Sequence, residues 1–178
     1  MANGFFNQLE RFASWQVVAL LFVLFVLCAQ GFQWRQKKLG HENPGLDGRG
    51  WYSPDDVRDF FHNIKEEGRR IYYTTELTLD LLFPLVYSLL FSSFIIHVYP
   101  RETAKVLVLV PLMAAICDVL ENIMLAYLAW QFDEHVSPLA RVAAIATAIK
   151  SGLLLLSGLL ILAGAVWTIW RTSTAAPQ

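Results

Sequence analysis

The sequence predicts an all-α integral membrane protein, a four-helix up-down-up-down bundle with one amphipathic surface helix in its first loop. Three observations predict it. The 178 residues are 56% hydrophobic and only 16% charged, more apolar than an ordinary soluble domain. The apolar residues gather into four runs, each reaching the roughly 20 residues a helix needs to cross a hydrocarbon core of about 30 Å. The runs are continuous rather than alternating, so helices, not barrel strands, satisfy their backbone in lipid.

The chain reads as a single transmembrane domain. A short polar segment, residues 1–11, precedes the first span, about 12–34, which has no charge between Arg11 and Arg35. Its apolar stretch exceeds the roughly 7–15 residues of a signal-peptide core and no small-residue cleavage site follows, so it is expected to stay in the mature protein. The span ends at a basic patch of Arg35, Lys37 and Lys38. The long first loop begins with a glycine- and proline-containing stretch, Gly40 to Gly50, that reads as irregular.

At Ser53-Pro54-Asp55-Asp56 the character changes. Ser at the cap, Pro in the first turn and two acids beside it start a helix. Val57, Phe60, Phe61 and Ile64 then recur at helical spacing as one apolar stripe, and Gly68 suits a stop. This predicts an amphipathic helix over about 54–67, lying on the membrane surface or over the bundle mouth. The remaining spans fall at about 71–99, 106–132 and 142–170. The connections between them, Pro100 to Lys105 and Asp133 to Arg141, are short enough to force antiparallel neighbours. The tail after Arg171 is small and polar and is expected to be disordered.

This topology puts the long loop and the third loop on one side of the membrane. That side carries nine Lys/Arg: Arg35, Lys37, Lys38, Arg49, Arg58, Lys65, Arg69, Arg70 and Arg141. The other carries four: Arg11, Arg101, Lys105 and Arg171. The positive-inside rule therefore makes the long loop cytoplasmic. Trp15, Trp34, Tyr72, Tyr73, Tyr99, Trp130, Trp167 and Trp170 fall at span ends and read as interfacial belts.

Several function classes drop out. A net charge of −1 offers no basic field, so no nucleic-acid partner is expected. Cys28 and Cys117 fall inside spans as buried thiols, not as a disulfide or zinc framework. His41, His62, His97 and His135 lie outside or at the edges of the spans, without haem- or metal-ligand spacing. There is no nucleophile elbow, phosphate loop or zincin signature. No metal and no cofactor is expected.

What remains is a set of ionisable residues at membrane depth, which cost several kcal/mol and normally face the bundle interior. They are Glu76 and Asp80 on the second span, Asp118 and Glu121 on the third, and Lys150 on the fourth. Tyr87 shares the Glu76–Asp80 face, and Asn122 shares that of Asp118 and Glu121. Thr147, Lys150, Ser151, Ser157 and Gly158 make a polar, small-residue stripe. At ~1.5 Å per residue, Asp80, Glu121 and Lys150 lie roughly 13, 16 and 13 Å from the long-loop side, which predicts one shared site. Four acids face one lysine, so a proton or a bound cation is expected among them. Pro84 and Pro111 are expected to kink their helices and free carbonyls near this site.

The run from Tyr52 to Tyr87, with Glu67-Gly68-Arg69-Arg70, Asp80 and Phe83-Pro84-Leu85-Val86-Tyr87, then Asp118-Val119-Leu120-Glu121-Asn122, resembles a group of small four-span bacterial proteins without assigned function. The resemblance implies a multi-pass protein of the bacterial inner membrane and no particular activity. In layout the chain is also similar to the EXPERA-domain family, which includes sterol isomerases and sterol-ligand receptors. The likeness rests on the long loop after span one and on Glu76-Leu77 followed by Phe83-Pro84. Many of that family carry an acid at the end of span one, where Gln30 and Gln33 stand here.

The leading expectation is a site for a small amphiphile or membrane lipid, lined by Glu76, Asp80, Tyr87, Asp118, Glu121, Asn122 and Lys150. In an enzyme, Asp80, Asp118 or Glu121 would be the catalytic acid, using a raised pKa for proton transfer. The alternatives are a non-catalytic accessory subunit with protein partners in the membrane, and proton or cation handling through the same residues.

Overall fold

The computed structural model describes residues 2–40, 45–133, 135 and 137–174. Among them there is no strand, and eight α-helices account for most of the chain. They are α1 (Ala2–Phe12), α2 (Trp15–Leu39), α3 (Pro54–Asn63), α4 (Lys65–Glu76), α5 (Leu79–Val98), α6 (Arg101–Leu107), α7 (Leu109–Trp130) and α8 (Pro138–Thr174). A short 3-10 turn, Leu46–Arg49, lies in the first loop. The expected irregular stretch from Gly40 to Gly50 includes residues 41–44, and with them His41, which lie outside the described residues, as does the tail from 175.

Four stretches are long and apolar enough to cross a membrane: Trp15–Leu39, Lys65–Val98, Arg101–Trp130 and Pro138–Thr174. The shortest has 25 residues, about 37 Å of helix against a core of about 30 Å. Their outer surfaces are apolar: Leu155, Leu162 and Val166 of α8 are each about two-thirds exposed. Such a surface suits lipid and not water. The helices fit a multi-pass membrane protein.

The second and third of these stretches are interrupted. The second breaks at Leu77–Thr78, between α4 and α5, and Pro84 follows inside α5. The third breaks at Val108, between α6 and α7, with Pro111 in the first turn of α7. Proline has no N–H and its ring crowds the carbonyl four residues earlier. For Pro111 that carbonyl belongs to Leu107, the last residue of α6.

Helix α7 is central. It packs on α8, α5 and α4, while α2 packs on α5 and α4. Helices α2 and α8 make little contact with each other. Gly31 and Gly164 sit at close approaches: an added Cβ would come within 2.8 Å of Leu79 at the first and would strike Val98 at the second.

Three expectations are corrected. The polar segment before span one is helix α1, whose Phe6 and Leu9 pack against Ile95, Ala104 and Val108. The helix expected over 54–67 ends at Asn63. It starts as read, with Ser53 and Asp56 forming a capping box, but Lys65 takes a left-handed φ of 59° and the chain continues as α4. Gly68 is therefore not a stop. It lies inside α4, where an added Cβ would meet the Cβ of Ile64 at 2.7 Å. Tyr72 is not interfacial but fully buried, edge-on to Phe60 and Phe61. Together with Leu125, Ala129, Ala140, Ala143 and Ala144 these rings form one core cluster, and the stripe Val57, Phe60, Phe61 and Ile64 is buried in it.

Candidate functional site

Every sequence-predicted site residue is buried. Glu76 is the last residue of α4 and Asp80 lies in the first turn of α5, on either side of the helix break. Tyr87 lies two turns further along α5. Asp118, Glu121 and Asn122 come from α7, and Lys150 from α8.

The charges divide into two ion clusters. In one, Lys150 Nζ lies 3.0 Å from Asp118 Oδ1 and 2.5 Å from Glu121 Oε2. Glu121 Oε1 accepts a hydrogen bond from the Thr147 hydroxyl at 2.5 Å. The Tyr52 hydroxyl lies 3.5 Å from that oxygen and 3.0 Å from Thr147. In the other cluster, Arg35 Nη1 donates to Glu76 Oε1 at 3.1 Å and to Asp80 Oδ2 at 2.5 Å. The Arg35 guanidinium also lies over the rings of Phe32 and Tyr72, at 5.3 and 5.2 Å, a favourable setting for a desolvated cation.

Asn122 joins the clusters. Pro84 cannot donate to the Asp80 carbonyl, its partner in an unbroken helix. Asn122 Nδ2 donates to that carbonyl instead, at 2.5 Å. The proline expected to free a carbonyl beside the acids does so, and a side chain from α7 satisfies it.

At Glu121 the neighbouring hydroxyls are those of Thr147 and Tyr52. The Tyr87 hydroxyl is buried beside Asp118.

Three residues join the group beyond the prediction: Arg35, Tyr52 and Thr147. Thr147 belonged to the recognised polar stripe of span four. In the sequence Arg35 stands with Lys37 and Lys38 as a basic patch where the expected span ends, but α2 continues to Leu39. The signal for it is spacing: Leu21, Cys28 and Arg35 recur every seven residues, and all three are buried. Tyr52 is 1% exposed although it precedes the cap of α3, and no spacing announces it. The expected balance of four acids to one lysine is thereby corrected to four acids and two cations.

A cavity of about 510 Å³ adjoins both clusters. Arg35, Asp80, Asp118 and Lys150 all line it, with Phe32, Phe83 and Leu154 and with Gly45, Gly48 and Arg49 of the first loop. Its walls therefore include both α2 and α8, the two long helices that make little contact.

Four apolar helices around buried ion pairs define the class as a multi-pass α-helical membrane protein. Comparison of the chain with protein-family models, with curated proteins and with solved structures finds no match.

Proposed function

We propose that the two ion clusters and the adjoining cavity form a binding site for a small amphiphilic or lipid-like molecule within the membrane. The observation that carries this is the cavity itself, a cleft into which both ion clusters present charged groups; charges serving only to join helices need no such opening beside them. Here a cavity of about 510 Å³ is lined by two carboxylates, three cations and several aromatic and aliphatic side chains. A lining that mixes charged groups with apolar walls suits an amphiphile.

The cluster also indicates the head group. Glu76, Asp80, Asp118 and Glu121 outnumber Arg35, Lys150 and the Arg49 that lines the cavity, four to three, so an incoming cation relieves like-charge repulsion and an incoming anion adds to it. The topology that accompanies this reading is up-down-up-down. The α3 stripe packs on Leu125 and Ala129, near the end of α7, and on Ala140, Ala143 and Ala144, at the start of α8. That favours the long loop and the third loop lying on one side, with α3 as a lid over the bundle mouth. The excess of Lys/Arg there makes that side cytoplasmic, in a bacterial inner membrane if the resemblance to small four-span bacterial proteins holds.

The test is a thermal-stability panel on the protein in nanodiscs, with dodecylamine, dodecanol and dodecanoate added below micelle-forming concentrations. A ligand at ten times its Kd stabilises by about 1.4 kcal/mol, a shift of a few degrees. Dodecylamine should raise the midpoint most and dodecanoate least. Equal shifts for all three would remove the reading.

A second reading, a non-catalytic accessory subunit, is favoured by the pairing of all four carboxylates within the chain. In that case the panel gives no shift, and Lys150 acts only as interhelical glue. Lys150→Met then costs about 3–5 kcal/mol by stranding two carboxylates, and adding Asp118→Asn and Glu121→Gln restores most of it.

A further inference from the structure

We infer that a second site, at the opposite end of the bundle from α3, holds one acyl chain of a membrane glycerolipid, with the Ser92 hydroxyl donating to its ester carbonyl. It rests on different residues from the ion clusters and does not depend on them. The amphipathic helix α1 and the adjoining faces of α2 and α5 enclose an apolar groove of about 280 Å³. Phe5 and Phe12 of α1, Val17 of α2 and Leu89 of α5 line it, with Gln8, Ser92 and Ser93 as polar members.

Helix α1 is anchored to the bundle. Its Phe6 and Leu9 are buried against Ile95, Ala104 and Val108. Arg101 donates to Asn7 Oδ1 at 2.6 Å and pairs with Glu10 at 3.2 Å. Phe5 and Phe12 remain 51% and 64% exposed, as aromatics facing a membrane interface would be.

The occupant follows from Ser92. Serines within apolar helices normally donate to a carbonyl of their own helix. Ser93 does so to Leu89 at 2.8 Å, and Ser88 to Leu85 at 3.3 Å. Ser92 lines the groove, is 1% exposed and has no hydrogen-bond partner. A buried hydroxyl without a partner is costly, so the occupant has to carry an acceptor at that point. Ser92 lies about 9 Å along the axis from the end of α5, near the boundary of acyl chains and head groups. An alkyl chain with a carbonyl at its polar end, as in an ester-linked glycerolipid, meets both requirements.

The probe is an equimolar mixture of a diacyl phosphatidylcholine and its diether analogue, which lacks the carbonyls. The full chain is equilibrated with it and the lipid retained after transfer to mild detergent is read by native mass spectrometry. The wild-type protein should retain the diester about fivefold over the diether, the ratio expected for one neutral hydrogen bond. Ser92→Ala should bring that ratio to about one while lipid is still held. Leu89→Trp, which fills the groove, should lower total retention severalfold. A wild-type ratio of one overturns the proposal and needs no variant. Undiminished retention in a folded Leu89→Trp protein overturns it as well, as does a fivefold preference that survives Ser92→Ala.

Discussion

The Asp80 carbonyl ties residue chemistry to helix geometry. Pro84 removes its helical donor, and Asn122 supplies another from α7. Asn122→Leu should therefore cost about 1–3 kcal/mol, the penalty of a buried unsatisfied acceptor. Pro84→Ala restores a backbone N–H to the same carbonyl, so the loss should shrink in the double variant. Detergent-denaturant unfolding of the four proteins in this cycle reads the coupling. Additive losses would mean that Asn122 is held for another reason. At this scale the sequence is legible where polar residues share a helix face: Glu76 with Asp80, Asp118 with Glu121 and Asn122, and Lys150 with Thr147 are all buried in the ion clusters or beside them. It is less legible at Arg35, because a cation near a span end is usually solvated, and only the heptad spacing from Leu21 and Cys28 marks its direction. Tyr52 could not be read at all. It reaches Glu121 from a loop, and its placement depends on contacts far apart in the chain.

Among the elements, α3 shows how local signals and packing combine. Its start follows from Ser53, Pro54 and the acids of the first turn. The Ser53 hydroxyl and backbone amide hold the Asp56 carboxyl below the usual aspartate range. The folded value lies below the unfolded one, so the capping box stabilises fully above the unfolded pKa of about 3.9 and is lost as pH falls through the folded value. Amide-exchange protection of Asp56 and Val57, corrected for intrinsic rate, should stay constant from about pH 5 to 7 and decline below about pH 4. Ser53→Ala should lower helix stability by about 1 kcal/mol and flatten that acid limb; an acid limb unchanged in Ser53→Ala would refute the assignment. The end of α3 was not legible. The apolar stripe continues evenly through Ile64, and nothing local signals that Lys65 turns left-handed. The interruption at Thr78 has the same character, since no proline or glycine stands there. Where Pro111 follows Val108, the break has a local cause.

For the whole molecule, the four long apolar helices were legible from run length alone, because hydrocarbon thickness leaves few other solutions. Helix α1 was missed because its apolar residues, Phe5, Phe6, Leu9 and Phe12, are few and separated by polar ones. It is recognisable only as one face of a short helix packed on the bundle. The up-down arrangement makes a direct prediction. Single cysteines introduced at Gly48 and at His135 should react with a membrane-impermeant reagent from the same side, in a background where Cys28 and Cys117 are replaced by alanine. Labelling from opposite sides would overturn the span order. The reading of the centre as a ligand site rests on the cavity that both ion clusters line, and Ser151 lines it without belonging to either cluster. The most direct test is the shift in unfolding midpoint caused by dodecylamine in nanodiscs, measured side by side for the wild type and Ser151→Trp. The account predicts a rise of a few degrees in the wild type that vanishes in the variant while its ligand-free midpoint stays within about 2 °C; equal rises in both proteins, or none in the wild type, would contradict it.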